Sequence, residues 1–402
     1  MSDARASDTG RLRDIRSIVD WLIDGARSAP SPEQVVEQLC EGLLACGIPL
    51  ARVSVLAQTL HPEIMGRSLR WQPGEPVKVN TAGFEVLDTE MFQRSPAAHI
   101  ARTGEPIRRR LDRPGATDDF PMLDELRAEG LVDYYAAPLR FMNGEIHTAT
   151  FATRAPSGFS DREIAALDAV VRPLARVAEV WSLRRIASVL LSTYVGHQAG
   201  ERILAGRIRR GHTETIDAAI WLSDLRGFTT LADRLPPAEL IDLLNRYFDC
   251  QVPAIRAHDG EVLKFMGDGL LAIFPLAGGR PAAVVCTAAL AAVREAVQSV
   301  ATLRETAEAP ALRALNFAVS LHLGTVLYGN IGGGDRLDFT CIGPAVNLAA
   351  RLERLARDLG RTVIASADFA AHCPTAFTPL GAHPLRGFNA PREVYGLREE
   401  AA

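Results

Sequence analysis

The sequence predicts an α/β (α+β) chain of two domains, the second a ferredoxin-like sandwich. Three observations predict it. Apolar segments from Asp217 to Leu323 follow the order β-α-β-β-α-β, which is that of a ferredoxin-like sheet backed by two helices. An Asn143-Gly144 turn pair and a capped helix close an earlier segment of different order. At 402 residues, each half is long enough to bury its own core.

Composition excludes several classes. The 44 Lys+Arg face 48 Asp+Glu, a net charge of −4, so there is no basic field for nucleic acid. Hydrophobic residues at 48% and charged residues at 23% are ordinary for a globular protein. Cys40, Cys46, Cys250, Cys286, Cys341 and Cys373 include no CxxC pair, which reads as reduced thiols rather than a disulfide framework or zinc site. The opening MSDARASDTGRLRD has no signal-peptide pattern. The longest apolar stretch, Pro281–Val293, is too short to span a bilayer. A cytoplasmic protein with neither nucleic acid nor membrane as partner is expected. Only Lys78 and Lys264 are lysines and every other basic residue is arginine, so Lys264 stands out where a compact ammonium is needed.

Residues 1–30 read as a polar, disordered tail (1–10) and a helix from Leu12 to Ala26. Residues 31–183 read as the first domain. Glu33–Cys46 is helical, Arg52–Leu56 and Ser68–Trp71 are strands, and residues 72–90 are turn-rich without a clear element. Ser95–Thr103 is a helix stopped at Gly104, and Val132–Thr153 is a hairpin with a type I′ turn at Asn143-Gly144. Ser160 and Glu163 form a capping box for a long helix with Ile164, Leu167, Val171, Leu174, Ala178 and Trp181 along one stripe, kinked at Pro173. That stripe suits a core face and a coiled-coil seam equally. Residues 184–212 read as a helical linker.

Residues 213–402 read as the second domain. Ala218–Ser223 is a strand, Pro237–Arg256 a helix, and Val262–Phe265 with Leu270–Phe274 a hairpin through Met266-Gly267-Asp268-Gly269. Pro281–Leu303 is an Ala-rich helix, Leu315–Leu323 a strand, and Pro344–Asp358 a helix with Gly360 beyond its end.

The chemistry-bearing residues cluster in this half. Asp224 ends a buried strand in WLSDLRGFT, and Asp268 sits in the hairpin turn KFMGDG. Singly, each suits a strand-end or turn role. On adjacent strands they converge, and paired carboxylates plus a phosphate are how Mg²⁺ is held. The amides of Gly227, Phe228 and Thr229, between strand and helix, suit a polyphosphate. Asn347 and Arg351 lie four apart on the Pro344 helix, where they could serve a sugar and a phosphoryl transition state. A solvated helix face fits Arg354 and Arg357 better. Lys264 projects from a strand and reads either as an edge gatekeeper or as a donor to a base nitrogen. Thr340, in DFTCIG, is a small donor and acceptor.

Together SDLRGFT, KFMGDG, LHLGTVLYGNIG and DFTCIGPAVNLAARLE, in that order, resemble the class III nucleotidyl cyclase catalytic domain, over about Thr213 to Leu397. The resemblance implies an adenylate cyclase that converts ATP to 3′,5′-cyclic AMP and pyrophosphate. It implies two Mg²⁺ (or Mn²⁺) ions per site on Asp224 and Asp268, with Leu225 at the metal site. It makes Lys264 and Thr340 the adenine pair and Asn347 and Arg351 the catalytic pair. Gly227, Phe228, Thr229 and, more loosely, Arg386 become phosphate contacts. It also implies a homodimer, one protomer supplying the acids and the other the base-reading set. Lys264 argues against the guanylate cyclase alternative, and the full residue set argues against a decayed binding protein. The run Gly332-Gly333-Gly334-Asp335-Arg336 lacks the second acid of a diguanylate cyclase and reads as a β-turn loop. Residues 31–183 resemble a GAF-type sensory domain through SPAAHIARTGEPIRR and the segment from Leu126 to Val171, which implies either a small-molecule ligand or a dimerising role. His99 and His147 are the histidines that could touch one, though a structural role fits them better.

Overall fold

The computed structural model describes residues 15–58, 64–113, 115, 119–334 and 336–398. Two compact units divide between Leu190 and Leu191. The expected tail 1–10, the first three residues of the expected Leu12 helix, and Asp335 lie outside the described residues.

The first unit is built on β1 (Arg52–Gln58), β2 (Ile64–Trp71), β3 (Lys78–Gly83), β4 (Ile107–Arg110), β5 (Asp133–Arg140) and β6 (Ile146–Thr153). They form one sheet in the order β3-β2-β1-β6-β5-β4, and every neighbouring pair is antiparallel. Alternation sends Val53, Val55, Trp71 and Phe151 to one face, where they pack against Leu39, Leu43, Leu167 and Val170. Those side chains come from helices Pro32–Ala45 and Asp161–Val195. The capping box forms as expected: the Glu163 amide donates to Ser160 Oγ at 3.3 Å, and the Ser160 amide donates to Glu163 Oε2 at 2.7 Å.

Two expectations for this unit change, and the long helix is continuous. Residues 72–90 contain β3, whose sparse apolar side chains hid it; it is a mostly exposed edge strand. The Asn143-Gly144 turn is not type I′. Its φ is positive at Gly144 alone, and Phe141 pairs with Glu145 across a three-residue loop, which is a turn with a glycine bulge. The long helix passes unbroken through Pro173 and stops at Gly196, whose φ is 92°.

The second unit holds β7 (Thr213–Leu225), β8 (Glu261–Met266), β9 (Gly269–Pro275), β10 (Phe317–Gly333), β11 (Arg336–Ile342), β12 (Val363–Ser366), β13 (Phe377–His383) and β14 (Arg392–Leu397). The sheet order is β13-β14-β12-β10-β7-β9-β8, with β11 paired to the outer half of β10. Its central β10-β7-β9-β8 run is antiparallel throughout and, with its helices, gives the predicted ferredoxin-like unit. Trp221, Phe274, Phe317 and Leu321 form the main core with the Ala-rich helix Ala282–Thr306. Among the described residues this is the one helix long and apolar enough to cross a membrane, and Val285, Cys286, Ala289, Val293 and Ala296 bury it in that core.

The expected helix Pro237–Arg256 is two, Pro237–Asp249 and Val252–Ala257, because Pro253 has no amide to continue the ladder. The expected linker is the end of the long helix followed by a short one, His197–Leu204. Buried Glu261 holds that short helix, accepting from the Gln198 and Ala199 amides at 3.1 and 3.4 Å and from the Tyr328 hydroxyl at 2.8 Å.

On the other sheet face lies helix Pro344–Asp358, with Ala345, Leu348, Ala349, Leu352 and Ala356 buried at helical spacing. It seats closely because residue 324 of β10 is glycine: a Cβ there would stand 2.8 Å from the Ala345 Cβ. Gly324→Ala therefore overpacks the seat of this helix, and we expect a loss of about 1–3 kcal/mol in denaturant unfolding.

Candidate active site

Local backbone chemistry brings the two aspartates together. Strands β8 and β9 join through a two-residue turn, with Met266 paired to Gly269 and positive φ at Gly267 alone, the type II′ pattern. This leaves Asp268 at the hairpin tip. Next door, Ser223 of β7 pairs with Leu270 of β9, so Asp224 follows at the level of that tip. Glycine at 269 keeps the approach open, since a Cβ there would lie 3.3 Å from Asp224 Oδ1. The two carboxyls lie near enough for the Asp268 charge to act on Asp224. Burial, then the charges of Asp268 and Glu353, push the Asp224 carboxyl up to about 6, while Arg357 opposes them.

A groove of about 770 Å³ opens beside this pair. Asp224, Lys264, Thr340, Asn347, Glu353 and Arg357 are among its walls. Lys264 reaches it through a β-bulge: Val262 pairs with Ala272 and Lys264 with Leu271, so Leu263 is an extra residue and the lysine is turned by one position. Its Nζ donates to Asp338 Oδ2 at 2.7 Å. Thr340, on β11, is buried, and its Oγ1 has no hydrogen-bond partner among the described residues. A buried hydroxyl without a partner on a groove wall is a position prepared for a ligand.

Other expected residues lie elsewhere. Leu225 is a buried side chain, so only its backbone could serve a metal. Gly227 opens helix Phe228–Arg234 with φ 73° and no side-chain cap, leaving the first amides of that helix uncapped by side chains, but off the groove wall. Arg351 also lies off the wall, its Nε donating to the Arg386 carbonyl at 3.1 Å, and Arg386 is exposed. The wall follows Asn347, Ala350, Arg354 and Arg357, a stripe of spacings three and four. Arg354 and Arg357, read from sequence as the solvated face, are wall residues.

Sequence reasoning missed Asp338, Glu353 and Arg357. Glu353 is buried, and Arg357 Nη2 donates to Asp224 Oδ2 at 2.7 Å and Glu353 Oε1 at 3.3 Å. The i,i+4 spacing of Glu353 and Arg357 was a visible signal; their distance to Asp224 was not. Among the described residues no group of three or more His, Cys, Asp or Glu side chains is gathered to hold a metal. Two carboxylates in an open groove nonetheless fit Mg²⁺, which keeps water and phosphate oxygens in its octahedral shell.

Comparison with known proteins agrees with this geometry. Residues 212–396 match the adenylate and guanylate cyclase catalytic domain family. The second unit is thus a class III adenylate/guanylate cyclase catalytic domain. Adenylate cyclase 1 of Rhizobium meliloti (strain 1021) is 33% identical over 177 residues, 43% of this chain and 26% of that protein. Adenylate cyclase of Anabaena cylindrica is 29% identical over 174 residues, 42% of this chain and 34% of that protein. The chain therefore spans 26% and 34% of the length of these two curated relatives. Among solved structures, a bacterial light-regulated adenylyl cyclase is 34% identical over 46% of this chain and 91% of its own, with a TM-score of 0.41.

The raised Asp224 carboxyl sets a stability prediction. The folded metal-free protein binds this proton more tightly than the unfolded chain does, so the contribution is full at low pH and is lost as pH rises through about 6. Asp224→Asn removes the cost. We expect its metal-free melting midpoint at pH 7.5 to rise by roughly 2–4 °C, the size of about 1 kcal/mol after solvent screening, and the gain to vanish at pH 4.

Proposed function

We propose that the second unit is an adenylate cyclase that converts ATP to 3′,5′-cyclic AMP and pyrophosphate at a homodimer interface. The observation that carries this reading is the meeting of Asp224 and Asp268 beside a groove that also presents Lys264 and the unpartnered Thr340 hydroxyl.

Asp224, Asp268 and the Leu225 carbonyl would hold two Mg²⁺ or Mn²⁺ ions. Bound there, the ions would acidify the ribose 3′-hydroxyl and steady the leaving pyrophosphate. Lys264 would donate to adenine N1, and Thr340 would accept from the exocyclic amine. Guanine presents a donor at N1, so the Lys264 ammonium would face a donor, a loss of roughly a few kcal/mol, whereas the Thr340 hydroxyl could turn to donate to O6. Asp338 keeps the Lys264 ammonium on station while leaving other donor hydrogens for the base. Asn347 would orient the ribose, and Arg351 would neutralise charge on the pentavalent phosphorus. The amides of Gly227, Phe228 and Thr229, with Arg386, would contact the phosphates.

In the homodimer the acids come from one protomer and Lys264, Thr340, Asn347 and Arg351 from its partner.

The first unit would act as a GAF-like regulator that senses a small molecule. A cavity of about 140 Å³ supports this, on the sheet face opposite the two packed helices. Ser54, Ser68, Arg70, Tyr134 and Thr150 wall it, and Arg70 Nε is buried without a hydrogen-bond partner among the described residues. Polar side chains directed into a cavity await a polar ligand.

The decisive test is turnover of ATP and GTP by the purified chain with Mn²⁺. We expect cyclic AMP from ATP, at least about 100-fold preference over GTP, and loss of turnover in folded Asp268→Ala. Mixed Asp224→Ala and Arg351→Ala proteins should regain one good site per heterodimer; inert heterodimers would refute the shared site. Asp338→Ala frees the lysine, so KM for ATP should rise about tenfold with kcat falling less. Equal rates with and without residues 1–190, under every effector tried, would refute regulation by the first unit.

A further inference from the structure

We propose that Arg357 is a movable counter-ion. It stands in for the divalent cations before they bind and passes to the polyphosphate once they arrive. This rests on the two-metal reading above. The charges of Asp268 and Glu353 both act on Asp224. The guanidinium that meets them is Arg357, which donates to Asp224 at 2.7 Å and to Glu353 at 3.3 Å. Glu353 is buried, one helical turn before Arg357, and so anchors the arginine from its own helix. Arg357 itself is half exposed, with its side chain 50% accessible, so it can leave without disturbing packing. Arg354, on the same wall, makes no ion pair with Asp224 among those of the described residues.

The charge balance gives the movement its direction. Three negative charges hold one arginine when no metal is present. Two divalent cations at the aspartates reverse the local sign, so the guanidinium is repelled from Asp224. A nucleoside triphosphate in the groove is the nearest strong anion and matches a forked donor. The same side chain therefore opposes cation binding in the empty protein and favours nucleotide binding in the loaded one. Opposite effects from one residue are the signature of a switch, since a plain phosphate ligand would not oppose the cation and a plain salt bridge would not favour the nucleotide.

The test uses the full chain and two equilibrium measurements that need no turnover. Free Mn²⁺ is followed by electron paramagnetic resonance in a titration without nucleotide. Binding of the unreactive analogue α,β-methylene-ATP is then measured at saturating Mn²⁺. For Arg357→Gln we expect Mn²⁺ to bind roughly tenfold tighter and the analogue roughly tenfold weaker. Arg354→Gln should leave Mn²⁺ binding within about twofold of wild type, which separates contact from diffuse charge. Arg357→Lys keeps the charge and should hold Mn²⁺ near the wild-type value. Unchanged or weaker Mn²⁺ binding in Arg357→Gln overturns the proposal, as does unchanged or tighter analogue binding. Equal tightening in Arg354→Gln or Arg357→Lys also overturns it. A wild-type chain that binds Mn²⁺ and the analogue but makes no cyclic nucleotide would sink the cyclase reading alone and leave the Arg357 result standing.

Discussion

Everything in the catalytic unit turns on the repulsion between Asp224 and Asp268. Two carboxyls near enough for their charges to act on each other, partly withdrawn from water, are unfavourable on their own. The fold tolerates them because the sheet around them is strongly determined. Strand β7 is paired along its length to β10 and through Ser223 to β9, and Leu270, Leu271 and Ala272 bury the hairpin behind the turn. The backbone cannot relax to separate the acids, so the strain is relieved by a cation or a proton. Arg357 is the cation within the chain. This is the sense in which the site is prepared: its unfavourable charge is built in and its relief supplied from outside.

The rest of the site follows from the same sheet. The β-bulge at Leu263 turns Lys264 toward the groove, and the long outer half of β10 carries β11 and Thr340 alongside it. Gly324 lets helix Pro344–Asp358 sit close enough to present Asn347 and Arg357 from the opposite wall. Glu261 ties the short helix after the linker to the strand that bears Lys264. A displacement of that helix therefore has a direct mechanical route to the lysine.

The first unit shows a different use of a sheet. One face is an ordinary apolar core under two helices. The other face places Ser54, Ser68, Arg70 and Thr150 toward a cavity. Strand alternation produces both faces from one sequence, and the polar face is what departs from a plain structural sheet.

The sequence alone determined the order of elements and the residue types that could do chemistry. The βαββαβ order, the helix bounded by Pro344 and Gly360, and the Ser160–Glu163 cap are local signals, set by periodicity, missing amides and short-range hydrogen bonds. It could not determine which side chains meet. The turn at Gly144 was settled by strand pairing rather than by its two central residues. The places of Arg351 and Arg357 depended on how a helix is rotated over a sheet, and the partner of Lys264 lay 74 residues away. Electrostatics acts through distance in space, so charges separated along the chain reveal their coupling only once the fold has brought them together.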